Sequence, residues 1–199
     1  MPADNVVSTP PAHGHMRWGR FAMVAVPALA VAGILVGFTA EGAIASSISV
    51  SGQEFLVTAT QFSATGFEQF GGSVANAQGQ QPVIITAMHN AKIQNLCQSV
   101  SVGPVTLRLT AGSGSTPVSA SNLIVDASSQ TGSVATFHNI TIGQDAGTLT
   151  EDPGTAGSSG GFGQQADTFV LNNLVQHTWL TTAGTFSLPG LSIGFGGSC

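Results

Sequence analysis

Charged side chains are scarce in this sequence. Asp, Glu, Lys and Arg make up 7% of its 199 residues, whereas soluble domains average about a quarter. Four residues are basic, and those beyond residue 45 are Lys92 and Arg108. So little positive charge excludes a phosphate-binding surface and therefore a nucleic-acid partner. It also leaves little repulsion between neighbouring copies, so we expect self-association into a homo-oligomer.

Cysteine is also rare, with two residues, Cys97 and Cys199. The sequence has no C-x-x-C pair, which argues against a zinc site or a thioredoxin-type motif. In an oxidising compartment the two cysteines are expected to form a disulfide, whose loop of about 100 residues would stabilise the fold by about 4–5 kcal/mol. The alternative is a buried Cys97 with a free or intermolecularly paired Cys199.

One long run of uncharged, mostly apolar residues lies near the N-terminus. It starts at Phe21, ends at Ala40 and follows Arg17 and Arg20. At about 1.5 Å per helical residue, a run of this length covers a bilayer core of roughly 30 Å. Because both arginines precede it, the positive-inside rule places the N-terminus in the cytoplasm and the chain after residue 45 outside. The sequence therefore predicts an N-terminal hydrophobic helix and an exported protein.

The fate of this helix stays open between two alternatives. The small-x-small pattern at residues 43–45 is typical of a signal-peptidase site, so residues 17–45 are a candidate signal peptide cut between Ala45 and Ser46. The run is longer than the usual stretch of about 7–15 apolar residues, which favours a retained single-pass anchor in the membrane. In both cases residues 1–16 are expected to be a disordered cytoplasmic tail, and residues 46–199 an extracellular domain.

Residues 46–199 lack helical periodicity and show strand patterns instead. Residues 105–110 (VTLRLT) alternate apolar and polar side chains, as a strand with one buried face does. Residues 112–117 read as a turn, and residues 143–165 as a Gly-rich loop. We therefore predict an all-β domain.

Five short segments of this domain resemble one another. Each has an Asn or Gly between apolar residues, and these markers are 32, 17, 34 and 17 residues apart: Asn90, Asn122, Asn139, Asn173 and Gly190. In the fourth segment Gln176 replaces the apolar residue at the last position. Spacings near multiples of 17 suggest one structural unit used repeatedly.

The spacing inside each segment predicts a corner at the marker. Phe137 and Ile140 are three residues apart, so a flat strand would point them to opposite faces. A corner at Asn139 would return both side chains to one interior, and Asn and Gly tolerate the backbone conformations that a corner needs. We predict a β-solenoid or a rolled β-sheet, with an antiparallel β-sandwich as the alternative.

A serine-hydrolase motif, G-x-S-x-G, occurs at residues 157–161 (GSSGG). That motif acts where a strand ends in a sharp turn before a helix, but here low-complexity sequence surrounds it and no helical pattern follows. Ser159, whose downstream partners would be Asp167 and His177, is therefore interpreted as a chance match and not as a nucleophile.

Several other polar residues are of types that form functional sites. His89 and His138 occupy the same position in their segments and could stack to bind a metal or sense pH, although their outward phase favours plain surface histidines. Glu151 and Asp152 lie in the Gly-rich loop and are predicted to be solvated. Asn139 begins a glycosylation sequon but already has a corner role. We predict no catalytic residue, no metal site and no cofactor.

Five phrases of the sequence are distinctive: residues 16–21 (MRWGRF), 95–100 (NLCQSV), 105–112 (VTLRLTAG), 162–167 (FGQQAD) and 181–186 (TTAGTF). Together they resemble a family of exported actinobacterial proteins of unknown function, whose members often carry the label cholesterol esterase. The resemblance runs from about residue 16 to Cys199 and implies a Gram-positive cell-envelope setting. The residues discussed above do not support the esterase label.

These observations favour a non-catalytic cell-envelope protein whose β-rich ectodomain self-assembles or binds an envelope partner. A module that binds or transfers lipid or another apolar ligand is the alternative, because a rolled sheet with apolar residues on both sides of a corner could enclose a groove. A secreted ester hydrolase is the third hypothesis. A continuous apolar cavity in the structure would favour the second over the first.

Overall fold

The computed structural model describes residues 52–76, 79–152 and 154–199. The predicted N-terminal helix and the candidate cleavage site between Ala45 and Ser46 lie outside these residues. Within them the chain is almost entirely antiparallel β-sheet, which confirms the all-β prediction. The described part of the chain contains no helix with the length and hydropathy of a membrane span.

Ten strands and one short 3-10 helix account for the regular structure of the described residues. The first half comprises β1 (Phe55–Asn76), β2 (Gly79–Gln94), β3 (Leu96–Val102), β4 (Val105–Ala111) and β5 (Val118–Thr131). The second half comprises β6 (Val134–His138), β7 (Thr141–Asp145), the 3-10 helix (Ala146–Thr148), β8 (Phe162–Thr182), β9 (Thr185–Ser187) and β10 (Ser192–Phe195). The predicted Gly-rich loop is thus shorter than residues 143–165, because β7 and β8 take both of its ends.

The four long strands, β1, β2, β5 and β8, surround one interior. β1 pairs with both β2 and β8, and β5 pairs with β2 and with the second half of β8. β3 extends the sheet from β1 to β4 and β10, while β6 and β7 lie along the first half of β8. All of these pairings are antiparallel, so the described residues form a rolled antiparallel sheet and not a stack of parallel solenoid rungs.

A line of irregular residues crosses this sheet, which we call the first bend line. The ladder pairs on either side place Gly66 of β1 opposite His89 of β2 and Asp167 of β8. In the same way, His89 faces Asn122 of β5, and Asp167 faces Asn139 between β6 and β7. Gly66, Asn122 and Asn139 have positive φ angles of 64°, 47° and 54°. Asn139 also donates from Nδ2 to Oδ2 of Asp167 at 2.6 Å.

A second bend line crosses the other half of the sheet through Gly112, Asn95, Thr60, Asn173 and Ser133. Positive φ angles recur at Gly112 (68°), Asn95 (51°) and Asn173 (51°). Side-chain hydrogen bonds run along it, from Asn95 Nδ2 to Thr60 Oγ1 and from Asn173 Nδ2 to Ser133 Oγ, each 3.0 Å. These amides therefore both permit the bend and bond to the neighbouring strand.

Each bend line shifts the inward-facing positions of a strand by one residue. In β1 the buried residues Ala59, Phe62, Ala64 and Phe67 are separated by three, two and three residues, with the steps of three at the two lines. A flat strand would alternate by two throughout. Because of the two shifts, the apolar side chains of β1 on both sides of each line face the same core.

Four of the five predicted corners have a left-handed residue: Asn122, Asn139, Asn173 and Gly190 all have positive φ. The expected return of the flanking side chains to the interior is wrong after two of them, because Ile140, Ile142, Leu191 and Ile193 are 37%, 63%, 46% and 58% exposed. The prediction is wrong at Asn90, which does not have a positive φ angle. At this place in the sheet the left-handed residue is Gly66, on the neighbouring strand β1. Along the first bend line, positive φ occurs on every second strand, so β2 crosses the line between two strands that carry the left-handed residues.

Replacing Gly66 with alanine is expected to destabilise the domain by at least about 1–2 kcal/mol, the cost of a left-handed conformation for an L-residue. An added Cβ would also lie 2.7 Å from the carbonyl oxygen of Glu151 and 2.9 Å from Cβ of His89. Urea denaturation measures the loss. Gly71→Ala is the matched control, because a Cβ there meets nothing within 4 Å; equal stability of the two variants would contradict the bend-line account.

Candidate functional site

An apolar cavity of about 280 Å³ lies inside the roll. Every strand of the long-stranded core contributes to its wall, and so do β3 and the segment after β8. The residues that line it are Phe55, Val57, Phe62, Ile93, Leu96, Gln98, Leu123, Val125, Leu174, Gln176, Thr181, Ala183, Gly184 and Phe186. All of them are uncharged, so a ligand held here is recognised by apolar contact and neutral hydrogen bonds.

The bend lines explain why this wall is apolar. Phe62 follows the second bend line on β1, and Leu174 follows it on β8, so both side chains point inward although their strands turn there. Leu123 follows the first bend line on β5 and also points inward. These three side chains are at most 3% exposed, and they form the deep part of the cavity.

Two glutamine side chains give one region of the wall hydrogen-bonding capacity. Gln98 on β3 and Gln176 on β8 are both ladder partners of Val57 on β1, so the three side chains share a face. Gln176 is 5% exposed and donates from Nε2 to Oγ1 of Thr178 at 2.8 Å, which fixes the orientation of its amide. A buried, oriented amide in an apolar wall is the kind of group that positions a ligand.

The remaining wall is provided by residues 183–199, which we call the strap. Its first part, β9, pairs with β5, and its last strand, β10, pairs with β4. Between them the carbonyl of Pro189 accepts a 2.8 Å hydrogen bond from the backbone N–H of Gly112. The strap therefore runs from one side of the cavity to the other, and Ala183, Gly184 and Phe186 face the cavity on the way.

A disulfide ties the strap to β3. Cys199 is bonded to Cys97, as predicted, and its backbone N–H donates to Oγ of Ser99 at 3.1 Å. Cys97 directly precedes Gln98 of the cavity wall. A disulfide of this kind is consistent with an exported protein.

A second polar cluster lies outside the cavity, where the loop after the 3-10 helix covers the first bend line. Glu68 and Asp152 are 0% and 5% exposed, and the backbone N–H of Asp152 donates to Oε1 of Glu68 at 2.7 Å. The other carboxylate oxygen of Glu68 has no hydrogen-bond partner among the described residues. His89 Nδ1 lies 4.0 Å from Oδ1 of Asp152. The prediction that Asp152 is solvated is therefore wrong, because this loop folds back onto β1 and β2.

Burial raises the pKa of both carboxyl groups in this cluster. For Glu68, loss of solvation is the largest cause; the backbone N–H of Asp152 opposes it, and the negative charge of Asp152 adds to it. For Asp152, loss of solvation again dominates, while His89 lowers the pKa. A raised folded-state pKa means that these groups contribute stability below the ordinary values of 4.5 and 3.8, and that this stability is lost as the pH rises above them.

Glu68→Gln is accordingly expected to increase the free energy of unfolding at pH 7 relative to the wild type, because the amide keeps an acceptor for Asp152 without a buried charge. The difference should shrink as the pH falls towards the ordinary value of 4.5, because the raised pKa lets the folded wild type take up a proton on Glu68 before the unfolded chain does. Urea denaturation at the two pH values measures it. The control is Glu54→Gln, the same charge change at a half-buried position; an equal gain in both variants would contradict the assignment.

The structure does not bring the hydrolase-motif residues together. Ser159 packs over Gly147 beside the start of β8, whereas His177 is near the other end of β8, paired with Leu56 and Ser129. The carboxylate of Asp167 accepts the hydrogen bond from Asn139 on the first bend line. These positions do not form a Ser–His–Asp arrangement, which requires each pair to be within hydrogen-bond reach.

The histidines are also separated. His89 lies on β2 and His138 on β6, and β1 and β8 run between them. The described residues contain no group of three or more His, Cys, Asp or Glu side chains placed to hold a metal ion. Asn139, the sequon residue, is committed to its hydrogen bond with Asp167.

Sequence reasoning put forward an apolar groove as an alternative but did not locate it, although one residue indicates its position. Gln176 is the polar residue in a repeat position that is otherwise apolar, and that position faces the cavity. A polar residue in an inward position is expensive to bury unless it has a partner. The glutamine at this position therefore indicates that the interior at this end of the roll contains a hydrogen-bonding partner.

Comparison with known proteins places the chain in a family without giving an activity. The model of the Family of unknown function (DUF6230) matches residues 51–199, a range that includes all the described residues. No curated protein and no solved structure matches the chain.

Proposed function

We propose that this chain, which belongs to the DUF6230 family of unknown function, binds one small amphiphile in the cavity inside its rolled sheet. The ligand class is a molecule with a single hydrocarbon chain and a neutral hydrogen-bonding group such as a hydroxyl or an ester. The observation that carries the proposal is the apolar wall of this cavity with the buried, oriented amide of Gln176.

The size and chemistry of the cavity support this ligand class. Its volume of about 280 Å³ is just below the roughly 300–1,000 Å³ typical of small-molecule sites. A single chain of moderate length suits it better than a lipid with two long chains. The uncharged lining favours a neutral head group, because an isolated ion would lose its solvation without an opposite charge.

The predicted export of the chain agrees with this function. A protein delivered to the outer face of a membrane meets single-chain amphiphiles at the place where they leave or enter the bilayer. The ectodomain would then bind or carry such molecules and would need no catalytic residue of its own.

Filling the cavity tests the proposal. Val57→Trp places a large side chain next to the two glutamines and is expected to weaken binding of the neutral fluorophore N-phenyl-1-naphthylamine by about tenfold or more, equivalent to about 1.4 kcal/mol. Fluorescence titration measures the dissociation constant, and displacement by 1-decanol tests the ligand class. Val102→Trp is the matched control, since Val102 is 58% exposed on β3. Unchanged affinity in a folded Val57→Trp variant would overturn the proposal.

Self-assembly is the second candidate function. β10 lies at one end of the strand order, and its Ile193 and Phe195 are 58% and 80% exposed. An exposed, uncharged sheet edge can pair with a second copy of the same chain. Sedimentation velocity of the wild type and of Phe195→Ser separates the candidates, because a monomer in both cases would contradict assembly through this edge.

A further inference from the structure

The disulfide sits where a small chemical change would alter the cavity wall. The strap carries three cavity-facing residues, and its far end is attached to β3 through Cys199. Beyond Pro189 the strap is held by the short strand β10, by the disulfide and by two hydrogen bonds, from Gly196 to the carbonyl of Thr106 and from Cys199 to Oγ of Ser99. The side chains of β10 are all exposed, so few apolar contacts hold this end of the strap.

The two sulfur atoms differ in their surroundings. Cys199 is exposed, whereas Cys97 is half-buried. Arg108 on β4 donates from Nε to Sγ of Cys97 at 3.4 Å. Arg108 and Lys92 are the basic residues of the described chain, so one of two positive side chains lies directly against this sulfur.

This arrangement favours thiol attack at Cys199. In thiol–disulfide exchange the attacking thiolate needs access to one sulfur, and the other sulfur leaves as a thiolate. The exposed position of Cys199 provides the access. The guanidinium of Arg108 stabilises a thiolate that forms on Cys97, which makes Cys97 the better leaving group.

We propose that the Cys97–Cys199 bond is a reducible latch on the strap, opened by a dithiol partner that attacks Sγ of Cys199. The first thiolate of the dithiol bonds to Cys199 as the bond to Cys97 breaks, and Cys97 leaves as a thiolate beside Arg108 and takes a proton from water. The second thiol of the dithiol then attacks its own sulfur in the mixed disulfide and releases Cys199 as a thiol. The dithiol is oxidised to a disulfide, and both cysteines are reduced.

Opening the latch would loosen the strap wall and let a bound molecule leave. This consequence rests on the proposed ligand-binding function, whereas the exchange chemistry at Cys199 does not. The latch would thus couple the redox state of the compartment to the rate at which the cavity is filled and emptied.

The rate of reduction tests the exchange chemistry. Under pseudo-first-order dithiothreitol, Arg108→Gln is expected to be reduced about tenfold more slowly than the wild type, because the leaving thiolate has lost its neighbouring cation. Arg108→Lys should recover part of the rate. Lys92→Gln is the matched control, with the same loss of charge on β2, and should react at the wild-type rate. Equal rates for Arg108→Gln and Lys92→Gln would overturn the role of Arg108.

Hydrogen exchange tests the latch without any ligand. After reduction, the amides of residues 185–199 are expected to exchange through opening of the strap alone, at least about tenfold faster than those of β1 and β2, whose protection falls only by the loss of global stability. A strap that stays as protected as before would overturn the latch. Exchange of residues 185–199 at the same rate as β1 and β2 in the reduced protein would also overturn it, because the strap would then open only when the whole domain unfolds.

Ligand release completes the test. The dissociation rate of N-phenyl-1-naphthylamine should rise about tenfold on reduction, because a strap that opens more often releases the ligand more often. An unchanged release rate in a protein that binds the fluorophore would contradict the gating part of the inference. If the oxidised wild type does not bind the fluorophore or 1-decanol, the proposed function fails, and hydrogen exchange still decides whether the latch exists.

Discussion

Replacing Cys97 and Cys199 with serine should lower the free energy of unfolding by about 4–5 kcal/mol. The cysteines are 102 residues apart, so the bond closes a long loop and removes many conformations from the unfolded chain. That loss would be a large fraction of the roughly 5–15 kcal/mol typical of a domain. Urea denaturation of the oxidised wild type and the double variant measures it.

Reduction provides the internal control for this experiment. With dithiothreitol present, the wild type should unfold at the same urea concentration as the double variant, since both then lack the bond. The single variants Cys97→Ser and Cys199→Ser should behave like the double variant once intermolecular disulfides are prevented. Equal stability of the oxidised wild type and the double variant would show that the loop closure contributes nothing.

Phe67→Ala should destabilise the domain by about 3–5 kcal/mol, the usual range for a fully buried phenylalanine. Phe67 is 1% exposed and directly follows Gly66 of the first bend line. Its ring lies 4.8 Å from that of Phe169 and 5.4 Å from that of Phe137, measured between centroids. Truncation therefore leaves a cavity between β1, β6 and β8 and removes two aromatic contacts.

Phe162→Ala is the matched control for this truncation. Phe162 is 65% exposed at the start of β8, so its removal should change the stability by less than about 0.5 kcal/mol. Both variants lose the same atoms, so the difference between their free energies of unfolding measures the effect of burial. Similar urea midpoints for the two variants would contradict the placement of Phe67 at the centre of the core.

The corners were predictable from sequence because they leave a local signature. At Asn139 and Asn173 the three-residue spacing of flanking apolar side chains cannot be satisfied by a flat strand, and Asn is a residue that accepts positive φ. At Gly66 the same event was missed, because no repeat marker distinguished it from Gly71 and Gly72 of the same strand. Only the strand pairing shows that Gly66 lies on the same line as Asn122 and Asn139.

The cavity and the buried carboxyl groups depend on contacts between distant residues. Gln98 and Gln176 are 78 positions apart in the sequence and share a face because both pair with Val57. Glu68 and Asp152 meet because the loop around residue 151 lies on β1, which composition did not indicate. Pairing register and loop placement are long-range properties, so local patterns could not predict them.

The N-terminal helix and the location of the protein stay predictions. They depend on Arg17, Arg20 and the run that follows, all outside the described residues. The disulfide is consistent with them, because such bonds persist outside the reducing cytosol.

The two bend lines also limit how the length of this chain can vary. On β1 they are set by Thr60 and Gly66, with a fixed number of residues between them. Inserting one amino acid in that interval would turn every later side chain of the strand over, moving Phe67 out and its polar neighbours in. An extra amino acid in the Gly-rich connection ahead of β8 would leave the strand phases untouched. Related chains should therefore differ in length within their connections and keep the same number of residues between the two bend lines.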